Sequence, residues 1–217
     1  MELYGNDFSP NSNKVRFAAN AMGIDYKFHS VDLAGGEQRT EKFLKINPVG
    51  RIPVLTDGEF AIFESNAIIR YLAEKTNSPL YPKDIKKHSL VNQWLDFASI
   101  HLQSGAMGKV FFNTIVYKFV NGTIDERSLK EGRQFLANYL NLIEKQLAKG
   151  PYICGTELSL ADINILAILD PSEVVGFDLA TYPKVVAWRK KLQAQDFYKK
   201  LFPQTYTGFV NSMFQNA

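Results

Sequence analysis

A chain of 217 residues, 46% hydrophobic and 22% charged, is long enough for one large packed domain or two modest ones. Its net charge of +3 is too slight to argue for nucleic acid, and the doublets Lys86-Lys87, Lys190-Lys191 and Lys199-Lys200 are scattered as solvated helix faces would be. The single cysteine, Cys154, excludes an intramolecular disulfide and a CxxC redox pair, and no apolar run approaches membrane-spanning length. The start MELYGNDFSP lacks the basic end and apolar core of a signal peptide, so the cytoplasm is the expected compartment.

The first 80 or so residues alternate strand and helix. Met1–Gly5 reads as a short strand, and Lys14 to Met22 as a helix with Val15, Ala18, Ala19 and Met22 inward, ended by Gly23. Tyr26–Val31 alternates as a second strand. A loop from Leu33 to Arg39, with Gly35-Gly36, leads to a short helix near Thr40–Lys45. Two apolar runs, Ile52–Leu55 and Phe60–Phe63, flank Asp57-Gly58, a β-hairpin signal because that pair accepts positive φ. Pro53 has no N–H for a ladder, so it belongs at the strand's start, where it leaves the backbone of Ile52 free to hold an extended ligand. The period then becomes helical through Ala67, Ile68, Tyr71 and Leu72, with Glu64-Ser65 at the helix start. This βαβ-ββα order is a thioredoxin-like arrangement with a right-handed crossover.

Ser78-Pro79-Leu80-Tyr81-Pro82 reads as a linker, and the spacing divides the chain into a domain over 1–78, a linker over 79–85 and an all-α helical bundle over 86–217. Val91, Trp94, Leu95, Ala98, Leu102 and Gly105 form one stripe of a long helix extending toward Val120, where Gly105 and Gly108 predict a bend or a close approach. Leu129 to Leu147 is a second long helix, halted by Lys149-Gly150-Pro151. Ser159, with Asp162 three residues on, predicts a capping box; the following run Ile163–Leu169 is apolar except at Asn164, as a buried central helix would be. A further helix follows Tyr182-Pro183.

The chemistry concentrates at two helix starts. A helix N-terminus offers free N–H groups and partial positive charge, so Ser65 is placed to bind a carboxylate and Glu64 beside it an ammonium; a carboxylate and an amine on one carbon describe an amino acid. The first strand–helix junction, Phe8-Ser9-Pro10-Asn11-Ser12-Asn13-Lys14, holds hydroxyls and amides but no cysteine. Those groups donate hydrogen bonds to a thiolate and cannot form a mixed disulfide. Ser9 before Pro10 is equally an N-cap followed by a first-turn proline. His29 and His88 lack partners for a metal site, and Cys154 reads as a small packing residue.

The segments NPVGRIPVL (Asn47–Leu55) and FESNAIIRYL (Phe63–Leu72) resemble the glutathione-binding half of the cytosolic glutathione transferases, and the likeness covers nearly the whole chain. The resemblance implies a cis peptide at Pro53, a backbone pairing between Ile52 and the cysteinyl unit of glutathione, and Glu64-Ser65 on the γ-glutamyl end. Ser9 stands where phi-, theta- and delta-like classes carry a catalytic serine. Ser9-Pro10-Asn11 also looks like the Thr-Pro-Asn of nu-like transferases, in which both polar residues act, so Ser9 and Asn11 are both candidates. Tyr4 is expected to pack in strand 1 instead. Arg39 matches a phi-like lysine on the glycyl carboxylate, Gln38 that class's histidine, and Arg51 replaces a common glutamine beside the cysteinyl unit. The electrophile pocket would draw on Phe8, His101, Met107, Phe111 and Ile115. The resemblance further implies a homodimeric detoxification enzyme that uses glutathione as co-substrate and no metal, and joins its thiolate to apolar electrophiles, with neither nucleic acid nor membrane as partner. A glutathione-dependent peroxidase, disulfide-bond reductase or dehalogenase is the rival enzyme. A non-catalytic regulatory module is the rival of another class.

Overall fold

The computed structural model describes residues 1–118 and 122–215. Four strands, β1 (Glu2–Gly5), β2 (Lys27–Ser30), β3 (Val54–Asp57) and β4 (Phe60–Phe63), form one sheet in the order β2-β1-β3-β4. β1 runs parallel to β2 and antiparallel to β3, and β3 antiparallel to β4. Side chains alternate across the sheet. Leu3, paired with Leu55, turns to the face covered by α1 (Pro10–Ala21) and α3 (Ser65–Lys75). Tyr4, paired with Val54, turns to the other face, where Phe43 of α2 (Glu41–Leu44) packs with Val31. The thioredoxin-like half is therefore as its sequence pattern predicts.

Two details differ. The first helix begins at Pro10, not Lys14, because Ser9 caps it: the Ser9 Oγ accepts the Ser12 N–H at 3.3 Å and Pro10 takes the first turn. In the hairpin, Asp57 pairs with Phe60 as the last residue of β3, so the two-residue loop is Gly58-Glu59, with Gly58 at φ 64°. Asp57 is held in the strand by its carboxylate, which accepts from the Tyr71 hydroxyl at 2.6 Å and from Lys75, both on α3.

Beyond Lys75 the described chain is helical. α4 (Ile85–Phe97) is capped by Asp84, which accepts from the N–H groups of Lys86 and Lys87. It continues with π-helical winding over Ala98–Met107 into α5 (Gly108–Thr114). A Cβ on Gly108 would lie 2.6 Å from the Gln103 carbonyl oxygen, so the winding needs glycine there. Gly108 thus makes the close approach expected at Gly105 or Gly108, and Gly132, on α6 (Glu126–Leu147), makes another: its Cβ would meet the Ala106 carbonyl at 3.1 Å. Val120, the expected far end of the stripe, lies outside the described residues.

All ten residues of α7 (Leu160–Leu169) are buried, as expected of a central helix. The capping box closes it: the Asp162 carboxylate accepts from the Ser159 N–H at 3.0 Å and the Ser159 hydroxyl at 2.8 Å. It also accepts the Ile153 N–H at 2.9 Å and the Trp188 indole at 3.0 Å. Burial pushes this carboxyl above the ordinary range against the pull of those donors. α8 (Pro183–Gln193), α9 (Asp196–Lys199) and α10 (Tyr206–Gln215) complete the chain. The Leu160 N–H donates to the Leu80 carbonyl at 2.9 Å, fastening the connecting segment to the start of α7. Ile68 and Leu72 of α3 belong to one buried cluster with Trp94, Leu95 and Leu166, so the two halves share a core.

Candidate active site

The junction of β1 and α1 is fixed from several sides. The Asn6 side chain accepts the Phe8 N–H at 3.0 Å and donates to the Val31 carbonyl at 3.3 Å, while its backbone N–H donates to the Ser12 Oγ at 3.2 Å. Asn13 donates to the Asp7 carbonyl at 2.8 Å. Gly5 makes room for this, since a Cβ there would lie 2.8 Å from the Ser12 Oγ. Ser9 is half-buried at the mouth of the junction. A hydroxyl has one proton and two lone pairs. Capping the Ser12 N–H uses a lone pair only, so the Ser9 proton is still available to donate.

The second helix start meets the first. Glu64 precedes α3 with φ 67°, a left-handed conformation that a non-glycine side chain adopts only under local constraint. Its side chain is exposed. Ser65 opens α3, and its hydroxyl donates to Asn11 Oδ1 at 3.4 Å, which leaves the Asn11 amide nitrogen as a donor. The Lys14 ammonium donates to Ser65 Oγ and to Asn66 Oδ1, each at 3.0 Å. Asn66 passes the connection to the helical half by donating to the Ser99 hydroxyl at 2.9 Å and the Leu95 carbonyl at 3.1 Å.

The loop before β3 is shaped by Asn47, 2% exposed, which donates to the Arg51 carbonyl at 2.6 Å and accepts the Val49 N–H at 3.0 Å. The Ile52–Pro53 peptide is cis, and Ile52 precedes the ladder, whose register begins at Val54. Arg51 and Arg39 are both exposed. Their loops touch at Gly50, φ 64°, where a Cβ would lie 3.1 Å from the Gln38 carbonyl. Gln38 donates to the Leu33 carbonyl at 3.4 Å, and its Oε1 is buried with no protein partner.

The aromatic candidates separate. Phe8 packs on Phe209 of α10, ring centroids 5.3 Å apart. His101 is exposed, on the π-helical stretch that packs against α6, and groups with Phe97 and Tyr139, each at 5.8 Å. Met107, expected in the pocket, is fully enclosed in the core, and Phe111 is half-buried against that same core. Tyr4 stacks on His29 at 4.7 Å and donates to Glu2 at 2.8 Å, a packing role as expected. Cys154 sits in the turn bridged by Tyr152 and Gly155, and burial pushes its thiol up to about 11, which disfavours the thiolate. Among the described residues no group of three His, Cys, Asp or Glu could hold a metal ion, and no helix is long and apolar enough to cross a membrane.

Sequence reasoning missed two contributors. Lys14 was legible only as a helix residue, although it shares a face with Ala18, one turn on, which is fully buried. Tyr206 left no signal at all. Its hydroxyl donates to the Phe8 carbonyl at 2.9 Å, and its N–H donates to the Tyr198 hydroxyl at 3.0 Å, which in turn reaches Asp170 at 3.2 Å. Tyr206→Phe should lower stability by about 1 kcal/mol and reduce turnover more than glutathione affinity, because it frees the peptide next to Ser9. Unchanged turnover in a folded variant would remove Tyr206 from the site.

The sequence pattern of the glutathione S-transferase N-terminal domain matches residues 1–74 and that of the C-terminal domain residues 104–196. Glutathione S-transferase D6 of Drosophila melanogaster is 37% identical over 199 residues, 89% of this chain and 87% of its own. Glutathione S-transferase 3 of Zea mays is 33% identical over 206 residues, 92% of each chain. Among solved structures, a delta-class glutathione transferase of Nilaparvata lugens superposes with a TM-score of 0.84 at 32% identity, covering 99% of this chain and 98% of that one. Pattern, relatives and fold agree over both halves, and the chain belongs to the glutathione S-transferase family.

Proposed function

We propose that this protein is a glutathione transferase: it binds glutathione along Ile52 to Ser65, holds its thiolate with Ser9 or Asn11, and directs it at an apolar electrophile. The observation that carries this reading is the meeting of the two helix starts, where Asn11 and Ser65 are 3.4 Å apart and therefore serve two ends of one small ligand. In this reading Glu64 takes the γ-glutamyl ammonium and Ser65 its carboxylate. The Ile52 backbone pairs with the cysteinyl unit. Gln38, Arg39 and Arg51 gather on the rim beside the glycyl carboxylate, a placement supported by the contact between their loops. Phe8, with Phe209, forms the near wall of the electrophile site. With its one cysteine half-buried, poorly acidic and away from the junction of β1 and α1, transfer is favoured over the reductase alternative.

The enzyme works as a cytoplasmic homodimer in detoxification, with the domain boundary at residues 79–85. Exposed Ile100, Leu142 and Phe60 suit a face covered by a second copy, and all four strands precede that boundary. Glu64→Ala and Ser65→Ala should each weaken glutathione binding by about 1.5–3 kcal/mol while leaving the thermal transition in place. Calorimetric affinity unchanged in both would overturn the site. Failure of the wild type to bind immobilised glutathione would favour a non-catalytic module. Turnover of hydroperoxides rather than electrophiles would favour a peroxidase.

A further inference from the structure

Lys14 projects from α1 into the seam with α3 and is 1% exposed. A buried ammonium is costly unless a counter-charge and hydrogen bonds compensate it. Here both hydrogen-bond partners, Ser65 Oγ and Asn66 Oδ1, are neutral, and among the described residues no carboxylate lies within ion-pair distance of Nζ. Methionine would fill the same volume without that cost. An ammonium has three protons and no lone pair, so it only donates. Ser65 Oγ, accepting from it, must turn its own proton elsewhere, and in the structure that proton points along the long 3.4 Å contact to Asn11. A bond that long is readily exchanged for a stronger acceptor.

We propose that Lys14 is the positioning residue for the γ-glutamyl carboxylate of glutathione: its ammonium holds Ser65 as a hydroxyl donor and supplies, from behind, the positive charge that the bound carboxylate pairs with. This rests on the reading that Ser65 receives that carboxylate. It explains why a cation sits beneath a neutral serine at a helix start, where the free N–H groups already favour an anion. A bound carboxylate would supply the counter-charge that the neutral Ser65 and Asn66 do not.

The arrangement has a signature in pH. Burial pushes Lys14 down to about 7, with Glu64 pulling it up and Arg70 adding to the fall. Other charged groups near α1 are engaged or distant: Asp162 of α7 is tied to Ile153, Ser159 and Trp188, and Tyr198 of α9 to Asp170. Asp196 and Lys199 of α9 are exposed, Arg16 on α1 itself pairs with Asp7, and Arg70 pairs with Asp96. An arriving carboxylate raises the Lys14 pKa, so binding takes up a proton near and above neutral pH. Affinity is then greatest where Lys14 is already charged, and falls as pH rises above about 7.

The test is calorimetry between pH 6 and 8.5, in paired buffers of different ionisation enthalpy. Its probe is S-methylglutathione, which has no thiol to titrate. Wild type should take up a proton on binding at the upper end of that range, with affinity falling about tenfold per unit of pKa displacement traversed. Lys14→Met should take up only the fraction due to the peptide's own amine and bind about ten- to a hundredfold more weakly at pH 6. Lys14→Arg, which cannot lose its proton, should restore affinity without the uptake. A second probe, S-methylated 4-aminobutanoyl-cysteinyl-glycine, keeps the amine and lacks the carboxylate. Wild type should bind it more weakly and without uptake, and Lys14→Met should discriminate little between the two peptides. Equal binding of both by wild type would overturn the carboxylate site, and Lys14's role with it. If wild type discriminates but takes up no proton, and Lys14→Met discriminates as strongly, the carboxylate site stands and the role of Lys14 is overturned. Should Lys14→Met not fold, the uptake in wild type beyond that of Lys14→Arg decides: an excess supports the role of Lys14, and equal uptake overturns it.

Discussion

Asp162→Ala should cost about 3–5 kcal/mol of stability, a large part of the roughly 5–15 kcal/mol that holds a domain folded. The carboxylate receives the Ile153 and Ser159 N–H groups, the Ser159 hydroxyl and the Trp188 indole, all buried. Alanine removes none of those donors and leaves each without a partner, which is the expensive way to break a network. The damage is not local, because Ile153 belongs to the segment entering α7, Trp188 to α8, and α7 packs on α1, α3 and α4. Ser159→Ala deletes one hydroxyl and leaves the carboxylate its other donors, so its cost should be only about 0.5–2 kcal/mol. Urea denaturation of both variants decides: a loss below that of Ser159→Ala for Asp162→Ala would mean the network is not the centre of this half.

Ser9→Ala should raise the pKa of the bound thiol by about one to two units. A free thiol titrates near 8.5, and lowering it by ~2 units takes ~2.7 kcal/mol. One hydrogen bond to the charged sulfur supplies roughly 1.5–3 kcal/mol and the start of α1 roughly 0.3–1 kcal/mol, so these two suffice without a general base. At neutral pH the variant's thiolate fraction falls, and with it the rate; raising the pH restores part of it. The geometry adds a second effect. Ser9 caps α1 with a lone pair and keeps its proton, so the same substitution should also lower stability by roughly 1 kcal/mol. If Asn11 is the donor instead, Ser9→Ala shows the stability loss alone and Asn11→Ala carries the pKa shift. Thiolate absorbance of the glutathione complex against pH, for wild type and both variants, separates the cases; a shift in neither withdraws both residues.

Periodicity and turn chemistry made much of the fold legible in the sequence. Apolar runs located β1 within Met1–Gly5 and β4 at Phe60–Phe63. Ser159 and Asp162 announced their capping box by spacing alone, Pro53 the entry to β3, and Glu64-Ser65 the start of α3. The features that escaped depend on contacts between distant segments. Asp57 moved from the turn into the strand because Tyr71 and Lys75 of α3 hold its carboxylate. Gly132 makes a further close helix approach that the sequence did not announce, because α6 crosses at Ala106. His101 and Met107 sit on the same stripe as true core residues, and periodicity does not say which neighbour a stripe meets. Lys14 gave no sign of its burial because a lysine near a helix start is ordinarily solvated.

The bond from Tyr206 to the Phe8 carbonyl spans 198 positions of sequence. A chain leaves the ribosome amino end first, and its opening residues carry all four strands of the sheet. Those strands have their partners well before translation ends. The loop that bears Ser9 does not: its anchor Tyr206 follows it in the chain by nearly two hundred positions. A chain cut before Tyr206 thus has the sheet assembled around an unfinished junction. Removing α10 alone should loosen the turn between β1 and α1 without touching any residue that forms it.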